Sequence, residues 1–173
     1  GYTVRYGGGA VTGIQRASRV TATGAATILG FNPVHATKIA VSATATVTAG
    51  GYTAFKAYIE GKDFSQVALR PFGVSFAMRS SLTGTYNIRM RNSTSTQYYG
   101  RSFTISAANT WEYKTFRIPA NAGTWNYSSS LGMEFAIILD NSPSANVIVS
   151  DQWTSVSGVV VAASVRFGNT LSA

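Results

Sequence analysis

Residues 72–92 read FGVSFAMRSSLTGTYNIRMRN, and the alternation of apolar and polar side chains in this stretch decides the fold. The apolar members of the two alternating runs are Val74, Phe76, Met78, Tyr86, Ile88 and Met90. Side chains two positions apart lie on the same face of a strand, so each run predicts a strand with one apolar face and one polar or basic face. The residues LTG at 82–84 predict a hairpin turn that joins the two strands.

Short alternating segments recur along the rest of the chain, separated by Gly, Asn, Ser and Thr. The clearest are KIAVSATATV (38–47), YTAFKAYIE (52–60), WEYKTFRI (111–118), GMEFAIIL (132–139) and GVVVAASVRF (158–167). Weaker signals predict strands at 14–23, 64–70 and around 103–105. Because no segment has a 3.6-residue apolar period, we expect an all-β antiparallel β-sandwich of about nine or ten strands with little or no helix.

The alternation also predicts which side chains form the core between the sheets. We expect the following residues to be mostly buried: Val74, Phe76, Met78, Tyr86, Ile88, Met90, Phe116, Ile118, Phe135 and Ile137. These positions share one face in successive strands, which is the face that a sandwich buries.

The length of 173 residues fits one domain. Residues 1–13 are rich in glycine and predict an irregular arm or linker, whereas residues 14–173 form a single sandwich domain. A proline and turn-forming residues predict a loop over 27–36, which includes His35.

Composition restricts the function. Only 12% of the residues are charged, about half the usual share, so Ser, Thr and Asn must supply much of the polar surface. The net charge of +8 favours an anionic partner such as an acidic polysaccharide, or it is a scattered surplus that acidic neighbours balance in an assembly. We expect no nucleic-acid binding, because no recognition helix or basic arm is visible, and no window is apolar enough to span a membrane.

Residues that carry acid–base or metal chemistry are scarce. The chain has no cysteine, one histidine and six carboxylates spread along its length. A glycosidase would need two carboxylates across a cleft, which Asp140 and Asp151 could supply, but the sequence DNSP at 140–143 reads better as a turn. We therefore expect no enzymatic activity, no catalytic residues, no metal site and no cofactor.

Aromatic and polar residues in two predicted loops are the candidate ligand contacts. Tyr98, Tyr99 and Arg101 belong to one loop, and Trp125, Asn126 and Tyr127 belong to the other. Aromatic rings would stack on sugars, and a guanidinium would donate paired hydrogen bonds to hydroxyl or acidic groups. We expect Trp125 to be more exposed than Trp111, which begins a strand. The alternative is that both loops contact neighbouring subunits, where Tyr and Trp are equally enriched.

The order of four segments resembles a jelly-roll module found in tail-fibre and other structural proteins of tailed bacteriophages, which is itself similar to carbohydrate-binding modules. The segments are AYIEGKDFSQV (57–67), residues 72–92, SFTISAANTWEYKTFRIPANAGTW (102–125) and LGMEFAIILD (131–140). The resemblance covers roughly residues 36–173. Such modules continue into a last strand after a segment like Gly168-Asn169, so the final strand is either absent here or supplied from elsewhere.

The resemblance implies a non-enzymatic structural module of a phage virion, in a tail fibre or tail tip. It also implies other virion subunits as partners, a homo-oligomer that is a trimer in a fibre, and host-surface polysaccharide as a ligand. Two alternatives stay open: a carbohydrate-binding module of a secreted glycoside hydrolase, and a glycan-cleaving enzyme.

Overall fold

The computed structural model describes residues 2–7, 11–12, 15–25, 30, 33–41, 46–47, 51–142, 148 and 150–158. In this part of the chain the fold is all-β, with twelve strands and a single turn of α-helix. The strands are β1 (Tyr2–Gly7), β2 (Val11–Thr12), β3 (Gln15–Thr21), β4 (His35–Val41), β5 (Thr46–Val47), β6 (Tyr52–Glu60), β7 (Phe72–Met78), β8 (Gly84–Asn92), β9 (Tyr98–Ile105), β10 (Glu112–Ile118), β11 (Leu131–Asn141) and β12 (Trp153–Thr154). The helix α1 is Gly61–Phe64.

Six strands form the main sheet in the order β1-β6-β11-β8-β9-β12, and neighbouring strands are antiparallel. In β11, Phe135 pairs with Met90 of β8, and Ile137 pairs with Ile88. Because paired residues point to the same face, this register places the apolar side chains of the central strands together.

A second sheet of β7 and β10 covers this apolar face. The Phe76 ring of β7 lies 5.5 Å from the ring of Phe103 in β9 and 6.1 Å from the ring of Phe135 in β11. It also contacts Phe116 of its own sheet at 5.9 Å. Interlocked rings from both sheets therefore form the core of a β-sandwich. Two further antiparallel pairs, β2 with β5 and β3 with β4, lie outside these two sheets.

The predicted core is confirmed. Tyr86, Ile88, Met90, Phe116, Ile118 and Ile137 are buried, and Val74, Phe76, Met78 and Phe135 are half-buried and pack against them. The all-β antiparallel sandwich is confirmed as well, whereas its jelly-roll connectivity stays a prediction.

The predicted hairpin between the strands of residues 72–92 is wrong. β7 pairs with β10 of the second sheet, and β8 pairs with β9 and β11 of the main sheet. The connection at 79–83 therefore crosses from one sheet to the other. There the Ser80 hydroxyl lies 2.7 Å from the Tyr86 hydroxyl and accepts a hydrogen bond from the Leu82 amide. Alternation reports which face a side chain occupies, but it does not report which strand is the partner.

Three other local predictions differ from the structure. The strand expected at 64–70 is the end of α1 followed by turns, because the Ser65 and Ala68 amides bond back to carbonyls four residues earlier. The arm expected at 1–13 contributes β1, which pairs with β6 over its whole length. His35, expected in a loop, begins β4 and is exposed.

The remaining strand predictions agree or lie outside the structure. Within the segment 38–47 the structure has the end of β4, which starts at His35, and the two-residue β5, and residues 42–45 lie outside the described part. The strand predicted over 158–167 lies outside the described residues after position 158. Within the described part, no helix is long and apolar enough to cross a membrane.

The polar face of the main sheet is also buried, which the alternating pattern did not predict. Asn87 and Arg89 of β8, Lys56 of β6 and Glu134 of β11 all point away from the apolar core, yet each is less than 7% exposed. The main sheet is therefore covered on both faces along its central strands.

Candidate functional site

The six candidate ligand contacts do not form one surface. Residues 98–101, expected in a loop, belong to β9, so Tyr98 and Tyr99 point to opposite faces of the main sheet. The Tyr99 ring packs 5.5 Å from the Trp153 ring in the core, whereas Tyr98 is buried on the polar face. Two adjacent tyrosines in a strand cannot stack on the same ligand.

Tyr99 and Arg101 do meet at one pocket, which has a volume of about 330 Å³. The pocket lies where β9 approaches the end of β10. Its lining residues are Pro71, Tyr99, Arg101, Arg117, Pro119, Ala120 and Asp151. Prolines give it apolar walls, and two guanidinium groups and one carboxylate give it polar ones.

Asp151 is the central acceptor of this pocket. Its Oδ1 lies 3.2 Å from Arg101 Nε and accepts a hydrogen bond from the Tyr99 hydroxyl at 3.1 Å. Its Oδ2 accepts from the Ser150 hydroxyl at 2.9 Å, and its amide donates to the Gly100 carbonyl. Asp151 has a left-handed backbone with φ of 62°, which is uncommon for a residue with a side chain. These contacts hold the carboxylate in one place beside β9.

The same contacts change the ionisation of Tyr99. Burial raises the pKa of its hydroxyl, and the hydrogen bond to the Asp151 carboxylate and that carboxylate's negative charge raise it further, to about 12. Tyr99 is therefore a hydrogen-bond donor over the whole physiological range and does not act as a base.

The two arginines differ in how they are held. The Arg101 guanidinium lies over the Phe116 ring at 5.4 Å and pairs with Asp151, yet its side chain stays 40% exposed. Arg117 is exposed and makes no ion pair with any described residue. Arg101 and Arg117 can therefore donate hydrogen bonds to hydroxyl or carboxylate groups of a ligand that enters the pocket.

Trp125 was expected to be exposed, and this expectation is wrong. Only 6% of Trp125 is accessible, because its ring packs 4.6 Å from Phe64 and 5.3 Å from Trp153. The Trp153 indole N–H in turn donates to the Pro119 carbonyl at 2.9 Å. The ring belongs to the core that backs the pocket, so direct stacking of a sugar on Trp125 is blocked. A polar loop sequence did not reveal this, because the ring reaches inward from the loop.

The rest of this loop is mainly structural. Asn126 donates to the Leu131 carbonyl and accepts from the Ser128 amide, which closes a local turn. Tyr127 is 45% exposed, whereas the other three aromatic residues among the six candidates are buried.

The carboxylates of the described residues do not form a metal-binding set. Glu112 accepts from the Lys114 ammonium at 2.7 Å and from the amides of Ser106 and Ala107. These hydrogen bonds, that of Lys114 above all, lower the pKa of Glu112. No group of three or more His, Cys, Asp or Glu capable of holding a metal occurs within the described ranges.

The sequence did not indicate Asp151 and Arg117 as pocket residues. The sequence indicated Asp151 as a possible partner of Asp140 across a cleft or as a possible Ca²⁺ ligand, and Arg117 as one polar position of an alternating strand. The one sequence feature that could have indicated Arg117 is Pro119. This proline follows the last residue of β10, so Arg117 lies near the end of the strand, where it lines the pocket. That Arg101 and Asp151 are neighbours follows from the pairing of β9 with residues far along the chain, which no local pattern encodes.

Comparison with protein-family models, with curated proteins and with solved structures found no match to this chain.

Proposed function

We propose that this chain is a non-catalytic structural module of a tailed-bacteriophage virion, in a tail fibre or tail tip, located on the particle surface. The observation that carries the proposal is that three carboxylates are engaged in contacts within the fold. Glu134, Glu112 and Asp151 each hold the fold together through cations or amides, and Glu134 is fully buried. Three of the six carboxylates are thus used in internal contacts, and the exposed Glu60 and Asp63 do not line the pocket. This arrangement favours a scaffold, since a glycosidase needs two carboxylates that face its substrate across a cleft.

The proposal includes assembly with other copies or other virion subunits, and a trimer in a fibre. Among the described residues, β7 and β10 each pair with one strand, so one edge of each has no partner strand in this part of the chain. Exposed edges are sites where another chain adds a strand. Light scattering on the purified protein tests this part, and a monodisperse monomer would contradict it.

The location is tested on purified particles. We expect an antibody against this chain to label intact virions at the tail, and mass spectrometry to find the chain in stoichiometric amount with the other structural proteins. Absence of the chain from gradient-purified particles would refute a virion role, whereas labelling of the head would refute only the placement in the tail.

Host-surface polysaccharide is the ligand that we propose for the pocket of Arg101, Arg117 and Asp151. The pocket volume suits one sugar ring, and its guanidinium and carboxylate groups match hydroxyl or acidic substituents. Arg117→Gln should weaken binding of purified host polysaccharide at least fivefold in calorimetry. Arg70→Gln is the matched control, because Arg70 is also exposed but does not line the pocket. An equal loss of polysaccharide affinity in both variants would show that general charge attraction, and not the pocket, causes the binding.

A carbohydrate-binding module of a secreted glycoside hydrolase is the second candidate. The same pocket favours it, since a sugar-sized site on a sandwich would serve either protein. The two functions separate by location: the chain would then be found in culture supernatant joined to a hydrolase and not in particles. Release of reducing sugar by this chain alone would instead support the glycan-cleaving enzyme.

A further inference from the structure

A second site lies on the polar face of the main sheet, away from the pocket. Glu134 of β11 accepts from three cations: Arg89 at 2.7 Å, Arg91 at 2.8 Å and Lys56 at 3.2 Å. Tyr52 completes this cationic cluster, since its hydroxyl accepts from Lys56 Nζ at 3.3 Å and from Arg89 at 3.2 Å. The Arg89 guanidinium also lies over the Tyr52 ring at 4.9 Å.

The cationic cluster carries more positive charge than it neutralises. Three cations and one carboxylate leave a surplus of two positive charges. Lys56 and Arg89 are 7% or less exposed and Glu134 is inaccessible, so water screens this surplus poorly. The Tyr52 hydroxyl responds to the same field: burial alone would raise its pKa, but the charges and hydrogen bonds of Arg89 and Lys56 outweigh burial and lower it.

No acidic side chain other than Glu134 forms an ion pair with the three cations of the cluster. The chain has only six Asp and Glu residues, and all six lie among the described residues. Of the other five, Glu112 pairs with Lys114 and Asp151 with Arg101, and none lies within ion-pair distance of the cluster's cations. Asp140 follows Glu134 by six residues in the same strand and pairs with Thr53, next to Tyr52, but it forms no ion pair with Lys56, Arg89 or Arg91. Whatever the remaining residues of the chain do, they contain no carboxylate side chain to contribute.

The arginines also have donors left over. The Nε atoms of Arg89 and Arg91 are buried and have no hydrogen-bond acceptor among the described residues. Buried donors of this kind are normally satisfied, because a buried N–H group without an acceptor loses its hydration without compensation. The Arg91 side chain is 29% exposed, which leaves an approach from solvent at that end of the cluster.

We propose that the cationic cluster of Lys56, Arg89, Arg91 and Tyr52 binds a doubly charged oxyanion, namely a sulfate or phosphate group. A divalent oxyanion matches the surplus of two charges, and its oxygens supply the acceptors that the two Nε donors lack. The group is either a free ion that completes the fold or a phosphate carried by a glycan. The site is separate from the pocket at Arg101 and does not depend on the proposed virion role.

Titration of the intact chain with inorganic phosphate, inorganic sulfate and glucose 1-phosphate tests the proposal, with chloride used to hold ionic strength constant. Saturable binding with a matching rise in melting temperature is expected for the divalent ions, since a ligand of the native state stabilises it. Acetate, which carries one charge, should bind at least tenfold more weakly. Tighter binding of glucose 1-phosphate than of phosphate would identify a glycan source, and equal or weaker binding would identify the free ion. No saturable binding of any divalent anion would overturn the proposal.

Side-chain NMR locates the site without a mutation. The Nε–H signals of Arg89 and Arg91 should show the largest shifts on addition of phosphate. Shifts confined to Arg101 and Arg117 would overturn the proposal in favour of the pocket. Arg91→Gln should weaken phosphate binding at least tenfold, whereas Arg117→Gln, which removes the same charge from an exposed position, should change it less than twofold. Equal weakening by both variants would also overturn it, because it would show general attraction to a basic protein.

Discussion

Gly61 and Gly132 face each other so closely that a Cβ atom on Gly132 would lie 2.6 Å from the Gly61 Cα. Gly61 begins α1 at the end of β6, and Gly132 is the second residue of β11. The Gly61 amide donates to the Ser130 carbonyl at 2.9 Å, and the Lys62 amide donates to the Ser128 carbonyl at 3.0 Å. The contact therefore fixes the loop that carries Trp125 and Tyr127 against the end of the main sheet.

Gly132→Ala should lower the free energy of unfolding by about 1–3 kcal/mol, because the added methyl group overlaps backbone that cannot move aside cheaply. Gly73→Ala is the matched control. Gly73 is also in a strand, is exposed, and has no neighbouring atom within 4 Å of the position that an added methyl group would occupy. Urea unfolding measures both, and equal stability of the two variants would contradict the close packing.

Glu134→Gln should lower the free energy of unfolding by about 3–5 kcal/mol at pH 7, because it leaves buried cations without their counter-charge. Glu60→Gln is the control, since Glu60 is exposed and makes no ion pair with a described residue. Urea unfolding with the two variants side by side should show an unchanged midpoint for Glu60→Gln. A midpoint shift of the same size in both would refute the role assigned to the buried carboxylate.

Acid should remove the stabilisation that the ionised Glu134 carboxylate gives to the fold. Burial would raise the pKa of this carboxyl, but the hydrogen bond from Arg91 and the charges of Arg89, Arg91 and Lys56 lower it to about 2. A lowered native pKa means that the stabilisation is complete above the unfolded value near 4.5 and is lost as the pH falls toward 2. The stability difference between the wild type and Glu134→Gln should therefore shrink over this window. A difference that does not change between about pH 6 and pH 2.5 would show that the carboxyl has the same pKa in the native and unfolded states, which would contradict the lowered native pKa.

Tyr99 should ionise only near pH 12, which absorbance of the phenolate can follow by difference between the wild type and Tyr99→Phe. Its native pKa is raised, so the stability it contributes is present below pH 10 and is lost as the pH rises toward 12. Asp151→Asn should bring the transition to lower pH, because the carboxylate disfavours the phenolate. Asp63→Asn, at an exposed position in α1, should leave it unchanged. A Tyr99 transition near pH 10 in the wild type would contradict the observed burial and hydrogen bond.

Replacement of Trp125 and Tyr127 should separate packing from recognition. Trp125→Ala removes a buried ring and should cost about 3–5 kcal/mol of stability, whereas Tyr127→Ala should change stability by less than about 0.5 kcal/mol. Tyr127→Ala is therefore the variant to use in particle assays. Lost adsorption to the host with normal assembly would support glycan contact by Tyr127, and lost assembly would support a subunit interface. If neither changes, this tyrosine has neither role.

The sequence alone determined the all-β class and which side chains form the core, because two-residue alternation fixes the face of each strand wherever the strands pair. Only the tertiary structure determined which strands and side chains pair. β7 pairs with β10 and not with β8, the next strand in the sequence, and Asp151 forms an ion pair with Arg101, which is far from it in the sequence. The tertiary structure also decided exposure, since Trp125 in a polar loop turned inward and the polar residues Arg89 and Glu134 were covered. Pairing and coverage depend on contacts between distant segments, and a local pattern records only the face that a side chain occupies.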